Sequence, residues 1–158
     1  MNIVTLLYLL EIVFIVYSLF KFIPKEQRRE AIAIYTYTLT ITWFFGLMVA
    51  EFNLIEYPIR QFPRAIKTSF LFEYFLYPSI CALFVVNYPE MKSNTRKFLY
   101  YFAFCSILTF IEILEEKYTL VLKYIFWDWY VTWITFYITF YSCYKYKKWF
   151  FKKYKLNN

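Results

Sequence analysis

The chain has 158 residues, of which 61% are hydrophobic and 18% are charged, and its formal net charge is +7 at pH 7. Soluble domains carry roughly 25% charged residues, so this composition disfavours a water-soluble enzyme and excludes a disordered chain, a disulfide scaffold and a collagen-like fibre. The chain has no histidine, which removes Ser-His-Asp and Cys-His catalytic sites and most zinc and haem sites. These features indicate an integral membrane protein.

Five apolar runs follow one another along the chain. A helix that crosses the hydrocarbon core of a bilayer needs about 17–25 mostly apolar residues. The runs of this length are Ile3–Phe20, Ala31–Ala50, Thr68–Tyr88, Phe98–Leu114 and Tyr124–Tyr144. We therefore predict an all-α fold, an integral membrane bundle of five transmembrane helices. Residues 1–144 would form this single domain, and residues 145–158 a basic, aromatic cytoplasmic tail.

The second run alternates threonine with larger residues. On a helix, Thr36 and Thr40 lie on one face, and Thr38 and Thr42 lie on nearly the opposite face. Small hydroxyl residues let helix backbones approach each other closely. The pattern predicts a helix packed between two neighbours.

The connection between the second and third runs, Leu54–Lys67, is amphipathic at helical spacing. Its apolar positions are Ile55, Ile59, Phe62 and Ile66, and its charged positions are Glu56, Arg60, Arg64 and Lys67. Pro58 suits the first turn of a helix, whereas Pro63 removes a backbone hydrogen bond. We predict a short or bent interfacial helical segment on the outward side. It would either lie at headgroup level or form a lid whose arginines turn inward over a pocket.

Lysine and arginine are distributed unevenly between the two sides of the predicted bundle. Thirteen of the 18 follow the first, third and fifth runs. Short cytoplasmic loops carry the excess of basic residues, so we expect the N-terminus outside and the C-terminus in the cytoplasm. The basic, aromatic tail favours contact with anionic lipid headgroups, worth ~1 kcal/mol per basic residue, over contact with nucleic acid.

Four acidic residues interrupt the apolar runs: Glu11, Glu73, Glu112 and Asp128. Charges inside a span are rare, and they usually face the bundle interior or a water-filled cavity. The expected topology places all four in the outer half or near the middle of the bundle. Pro78 lies five residues after Glu73, and it predicts a kink that frees a backbone carbonyl one turn earlier.

The fourth and fifth runs each carry a polar stripe at helical spacing. The stripes are Ser106, Thr109, Glu112 and Glu116 in the fourth run, and Asp128, Thr132, Thr135, Thr139 and Ser142 in the fifth. If the stripes face each other, Glu112 and Asp128 come close together. Two carboxylates sharing a site need a proton, a cation or a nearby base such as Lys123.

These residues form a candidate binding site without a catalytic role. Its members are Arg60, Arg64, Glu73, Glu112 and Asp128, with Glu11, Glu56, Thr109, Thr132 and Thr135 in support. The arginines would clamp an anionic group, and the carboxylates would orient them, in a polar pocket open to the outside. Alternatively, the acids pair with the bases and the hydroxyl groups hold the helices together, which is a purely structural role.

The three cysteines do not indicate a disulfide framework. Cys81 and Cys105 lie inside apolar runs, and Cys143 lies near the end of the fifth run. An odd number in apolar surroundings is typical of reduced packing residues. No residue spacing matches a metal motif, so we predict neither a metal nor a cofactor.

The segments IEYPIRQFPRA (residues 55–65) and SFLFEYFLYPSI (residues 69–80) carry a resemblance. They resemble an uncharacterised family of small multi-pass membrane proteins from spore-forming Bacillota, and the likeness covers most of the chain. The resemblance implies a bacterial inner-membrane location. It implies no activity.

The favoured function is a non-enzymatic membrane protein. It would bind a lipid or small ligand at the outward-side polar site, or partner other membrane proteins or a second copy of itself. The alternative is a small ion or solute transporter or channel that uses the intramembrane carboxylates, although an odd number of spans argues against two equal repeats. A membrane-embedded enzyme without histidine would depend on carboxylates, tyrosine or a bound cation.

Overall fold

The computed structural model describes residues 3–152 and contains five α-helices. They are α1 (Ile3–Phe22), α2 (Arg28–Glu51), α3 (Tyr77–Val86), α4 (Asn94–Tyr118) and α5 (Trp129–Phe150). A 3₁₀ turn, Lys25–Gln27, precedes α2, and a π-helical turn, Phe72–Leu76, precedes α3. Each helix overlaps one of the apolar runs, so the all-α class is confirmed. Residues 153–158 of the predicted tail lie outside the described residues.

Three helical segments are long and apolar enough to cross a membrane, judged by length and composition. They are Val4–Phe22, Lys25–Glu51 and Asn94–Tyr118. Large apolar side chains on these segments point outward, such as Phe14 with 67% of its surface exposed and Phe110 with 60%. Soluble monomers rarely expose such extensive apolar surface, so the outer surface of the bundle suits contact with lipid.

Helix α3 is short and forms the centre of the bundle. The apolar helix Phe72–Val86 comprises its π-helical turn and α3. Cys81, Phe84 and Val85 on α3 have no exposed surface. A helix that is apolar on all sides is stable when other helices surround it, which explains why this run lacks the polar face of a surface helix.

Helix α2 packs against the bundle through small side chains. Its buried residues are Ala31, Ile34, Thr38, Thr42, Gly46 and Ala50, on one helical face. Thr36 and Thr40 are exposed instead, and their hydroxyls donate to the carbonyls of Ile32 and Thr36 on the same helix, at 3.0 and 3.1 Å. The prediction that both threonine faces pack against neighbours is therefore wrong. Back-bonding satisfies the outer hydroxyls without a partner helix.

The connection Leu54–Lys67 is not a helix, so the predicted interfacial helical segment is wrong. Residues Ile55–Glu56 form strand β1, which pairs antiparallel with β2 (Lys123–Tyr124) in the connection between α4 and α5. We call the two paired connections, residues 52–71 and 119–128, the roof. The end of the bundle that carries the roof is its outer end, and the opposite end is its inner end.

The guanidinium group of Arg60 explains why the roof is irregular. It donates to the backbone carbonyls of Tyr57 at 2.7 Å and Ile66 at 2.8 Å. These bonds fold the segment around its own arginine, and Pro58 and Pro63 remove two of the backbone donors that a helix would use. The spacing of apolar and charged residues is that of an amphipathic helix, but backbone carbonyls of the segment accept hydrogen bonds from the Arg60 side chain instead of from helical N–H groups.

Aromatic rings fill the inner half of the bundle. The ring of Phe84 stacks on Phe140 with centroids 4.3 Å apart. Tyr101 and Phe104 meet the same ring edge-on, at 4.8 and 5.2 Å. Such pairs contribute about 0.5–1.5 kcal/mol each beyond the area that they bury. The three cysteines are also buried there and free, as predicted.

A partly buried lysine joins three elements at the inner end. The ammonium group of Lys147 on α5 lies 2.7 Å from a carboxylate oxygen of Glu30 on α2 and 3.4 Å from one of Glu90, which follows α3. The Lys147 side chain is only 18% exposed. Because an ammonium ion removed from water needs partners, this group fixes α5 to α2.

Replacing Lys147 with methionine should destabilise the protein by about 1–3 kcal/mol, because two carboxylates lose their shared cation. Equilibrium unfolding in mixed detergent micelles measures the effect. Lys145→Met, an exposed position on the same helix, is the control and should change stability by less than about 0.5 kcal/mol. Equal stabilities for the two variants would show that the Lys147 ion pairs contribute nothing.

Candidate functional site: a carboxyl-lined cavity under the roof

A cavity of about 510 Å³ lies in the outer half of the bundle, between α2, α3, α5 and the roof. At the inner end α2 and α5 touch: the rings of Tyr37 and Tyr146 stack at 4.1 Å, and Thr38 Oγ1 lies 3.1 Å from Cys143 Sγ. Towards the roof, the lining includes the exposed side chains of Phe45 on α2 and Ile138 on α5. The cavity therefore opens sideways, between these two helices.

The roof closes the outer end of the cavity. Ile55, Tyr57, Val121 and Leu122 line it and are all buried. Burial raises the pKa of Tyr57 well above its ordinary value of 10, so its phenol stays neutral. The expectation of a pocket open to the outside is thus replaced by a pocket with a lateral opening.

Glu73 reaches the cavity from the π-helical turn. Its side chain is 5% exposed and lines the cavity. Thr68 Oγ1 donates to Glu73 Oε1 over a long 3.4 Å. Within residues 3–152, Glu73 Oε2 accepts no hydrogen bond. The carboxyl group is therefore buried with only one weak protein donor.

Pro78 explains the irregular backbone around Glu73. Proline has no N–H, so carbonyls in the preceding turn lose their usual donor. Two side chains of α2 supply replacements: Thr42 Oγ1 donates to the carbonyl of Glu73 at 2.8 Å, and the Tyr35 hydroxyl donates to the carbonyl of Tyr74. The carbonyl one turn before Pro78, that of Tyr74, thus accepts a hydrogen bond from a side chain of α2.

Gly46, the only glycine in the chain, lies opposite the Glu73 carboxyl group. A Cβ atom at this position would overlap Glu73 Oε1. The absence of a side chain on α2 therefore provides the space that the Glu73 side chain occupies.

Glu112 lies at the same end of the cavity and is better bonded. Its Oε1 accepts hydrogen bonds from Tyr124 of the roof at 2.7 Å and from Thr132 of α5 at 2.8 Å. The indole of Trp127 donates to Thr132 Oγ1 at 2.7 Å. At Glu112 and Thr132 the two polar stripes do face each other, and Glu112 is close enough to Glu73 to interact electrostatically.

Glu115 adds a third carboxyl group, which the sequence analysis missed. It lines the cavity, and its carboxyl group lies within hydrogen-bonding reach of that of Glu11 on α1. Two carboxyl groups in contact must share a proton or a cation. The signal was present, because Glu115 follows Glu112 by three positions and so lies on the same side of α4.

The other predicted site residues lie away from the cavity. Arg60 is occupied by backbone carbonyls, and Arg64 and Glu56 are exposed on the roof. Asp128 is exposed and accepts a hydrogen bond from the Tyr130 hydroxyl at 3.0 Å.

Of the supporting residues, Thr135 lines the cavity, as Thr132 does. Thr109 is buried and has no hydrogen-bond partner in the described part of the chain.

No base neutralises the cavity carboxyl groups within residues 3–152. The ion pairs there join Lys67 to Glu51 and Lys147 to Glu30 and Glu90. The structure therefore brings neither the proposed arginine clamp nor the alternative acid–base pairing to this site. The described residues also contain no group of three or more cysteine, aspartate or glutamate side chains placed to hold a metal ion.

Comparison of the chain with protein-family models, with curated proteins and with solved structures finds no match. The resemblance to a Bacillota membrane family accordingly stays a prediction.

The contact between Gly46 and Glu73 predicts a coupled pair of substitutions. Gly46→Ala in the wild-type background displaces the carboxyl group, whereas in a Glu73→Ala background the added methyl group has room. We expect a coupling free energy of about 1–2 kcal/mol in a double-mutant cycle, measured by unfolding in mixed micelles. The cycle cancels the intrinsic preference of helices for alanine over glycine, so additive effects would show that the two residues do not constrain each other.

Proposed function

We propose that this protein is a non-enzymatic integral membrane protein that binds an amphipathic ligand, a lipid or lipid-like molecule, in the cavity between α2 and α5. The observation that supports this function is the asymmetry of the cavity. The carboxyl groups lie at its outer end, and apolar side chains such as Ile41 and Phe136 line its walls. Ligand pockets of about 300–1,000 Å³ typically combine apolar walls with a few placed polar groups.

The length of the cavity suits a ligand with a hydrocarbon chain. Its lining runs along α5 from Thr132 to Ser142, about 15 Å at the rise of an α-helix. The hydroxyls of Thr135, Thr139 and Ser142 donate to carbonyls of α5 itself, each at 2.8 Å. They are therefore satisfied, and this wall is compatible with an apolar chain.

The lateral opening supports access from the bilayer. Phe45 and Ile138 flank it, and both are exposed on the apolar outer surface of the bundle. A lipid-like molecule could pass between the two helices without crossing the roof. A transporter or channel would need an open route through the inner half, where Phe84 and its neighbouring rings are packed.

We further propose that all five helices cross a bacterial cell membrane, with the N-terminus outside and the C-terminus in the cytoplasm. Helix α5 has 22 residues, which is long enough for a span. Helix α3 is shorter, but its neighbours shield it from lipid. Lys147 and the basic residues before α2 and α4 lie at the inner end, as the positive-inside rule requires of the cytoplasmic side.

The cavity proposal predicts that Thr135→Phe fills the binding space. We expect native mass spectrometry of the wild-type protein, released from membranes, to show a retained molecule of lipid mass, and its occupancy to fall about tenfold in the variant. Thr40→Phe is the matched control, because this exposed threonine back-bonds within α2 in the same manner. Equal occupancy in both variants, or none in the wild-type protein, contradicts binding in this cavity.

The orientation predicts opposite labelling at two exposed positions, Arg64 in the roof and Lys92 between α3 and α4. In a background without the three native cysteines, Arg64→Cys should react with a membrane-impermeant maleimide in intact cells. Lys92→Cys should react only after permeabilisation. The reverse pattern would invert the topology, and labelling of both positions in intact cells would exclude an odd number of spans between them.

A further inference from the structure

The polar side chains that line the cavity restrict which head group its ligand can have. This inference rests on the proposed function. Among residues 3–152, Glu73, Glu112 and Glu115 line the cavity, whereas no lysine or arginine does. The described lining therefore offers carboxyl oxygens as hydrogen-bond acceptors and no cation that could hold a phosphate or carboxylate group.

The hydrogen bonds within the protein leave the carboxyl groups incompletely satisfied. Glu73 receives a single long bond from Thr68. Both bonds to Glu112 go to the same oxygen, Oε1. In the described residues, the Oε2 atoms of Glu73 and Glu112 accept no hydrogen bond. Glu73 is only 5% exposed and lines the cavity, so a donor that occupies the cavity can bond its carboxyl group.

We propose that the ligand of this cavity is an amphiphile with an ammonium head group, which binds between Glu73 and Glu112 while its chain lies along α5. An ammonium group has three N–H donors and a positive charge, so one group can satisfy both free oxygens. A divalent metal ion fits less well, because the described residues provide no group of ligands placed to hold one. The lateral opening between α2 and α5 admits the chain together with the head.

Gly46 determines how deep the head group lies. Because α2 has no side chain there, the Glu73 carboxyl group lies against the helix backbone. The space in front of it remains part of the cavity. The head group therefore meets the carboxylate below the roof, away from the outer solution.

Three amphiphiles with the same chain test the head group: dodecylammonium, dodecanol and dodecanoate. Radiolabelled dodecylammonium is bound to the full-length protein in nanodiscs, with empty nanodiscs subtracted, and the other two compete as unlabelled ligands. We expect dodecylammonium to bind about tenfold more tightly than dodecanol, since charge-assisted hydrogen bonds are about twice as strong as neutral ones. Dodecanoate should bind most weakly.

Glu73→Gln and Glu112→Gln should each abolish the preference for dodecylammonium over dodecanol. Glu56→Gln, an exposed acid of the roof, is the matched control and should keep the preference. If either glutamine variant fails to fold, the order of the three ligands on the wild-type protein still decides the question.

The outcomes separate this inference from the function on which it rests. Dodecanol binding as tightly as dodecylammonium, in a manner that Thr135→Phe abolishes, would overturn the ammonium head group and leave the cavity function standing. The absence of saturable binding by all three amphiphiles would overturn both. Tightest binding of dodecanoate would contradict the charge argument directly.

Discussion

The constraint on which the structure depends is the placement of a glutamate side chain inside an apolar helical bundle. A buried carboxyl group needs room and hydrogen-bond donors. Gly46 provides the room, and Thr68 provides a donor. Pro78 shifts the backbone into a π-helical turn, and Thr42 on α2 bonds the carbonyl of Glu73. These contacts tie α2 to the start of α3.

The bundle divides into a solid inner half and a hollow outer half. In the inner half, the rings around Phe84 and the ion pairs of Lys147 hold α5 against α2 and α3. In the outer half, the cavity separates α2 from α5. The roof closes this end, where β1 after α2 pairs with β2 before α5. Helices held together at one end and separated at the other leave a cleft with a sideways opening. This geometry gives a small helical bundle an internal cavity.

Much of the fold could be predicted from the sequence, because apolar periodicity and length locate the helices. The acids at Glu73 and Glu112 could be identified as well, since charges in apolar runs are rare. The irregular backbone of the roof could not be predicted, because the spacing of residues in the sequence does not reveal which carbonyls Arg60 binds. For the same reason the sequence could not show that Arg60 binds the backbone of the roof and lies away from the cavity. Gly46 could be recognised as the only glycine, but its role depends on which residue of the π-helical turn faces it.

A cryo-electron-microscopy structure of the protein in nanodiscs, with a bound antibody fragment to add mass, would show directly whether the cavity between α2 and α5 holds a ligand. We expect a cleft between α2 and α5 that contains elongated density, with its head beside the carboxyl groups of Glu73 and Glu112. Ligand binding in this cavity would be contradicted if α2 and α5 packed together along their whole length and Glu73 bonded only to protein donors.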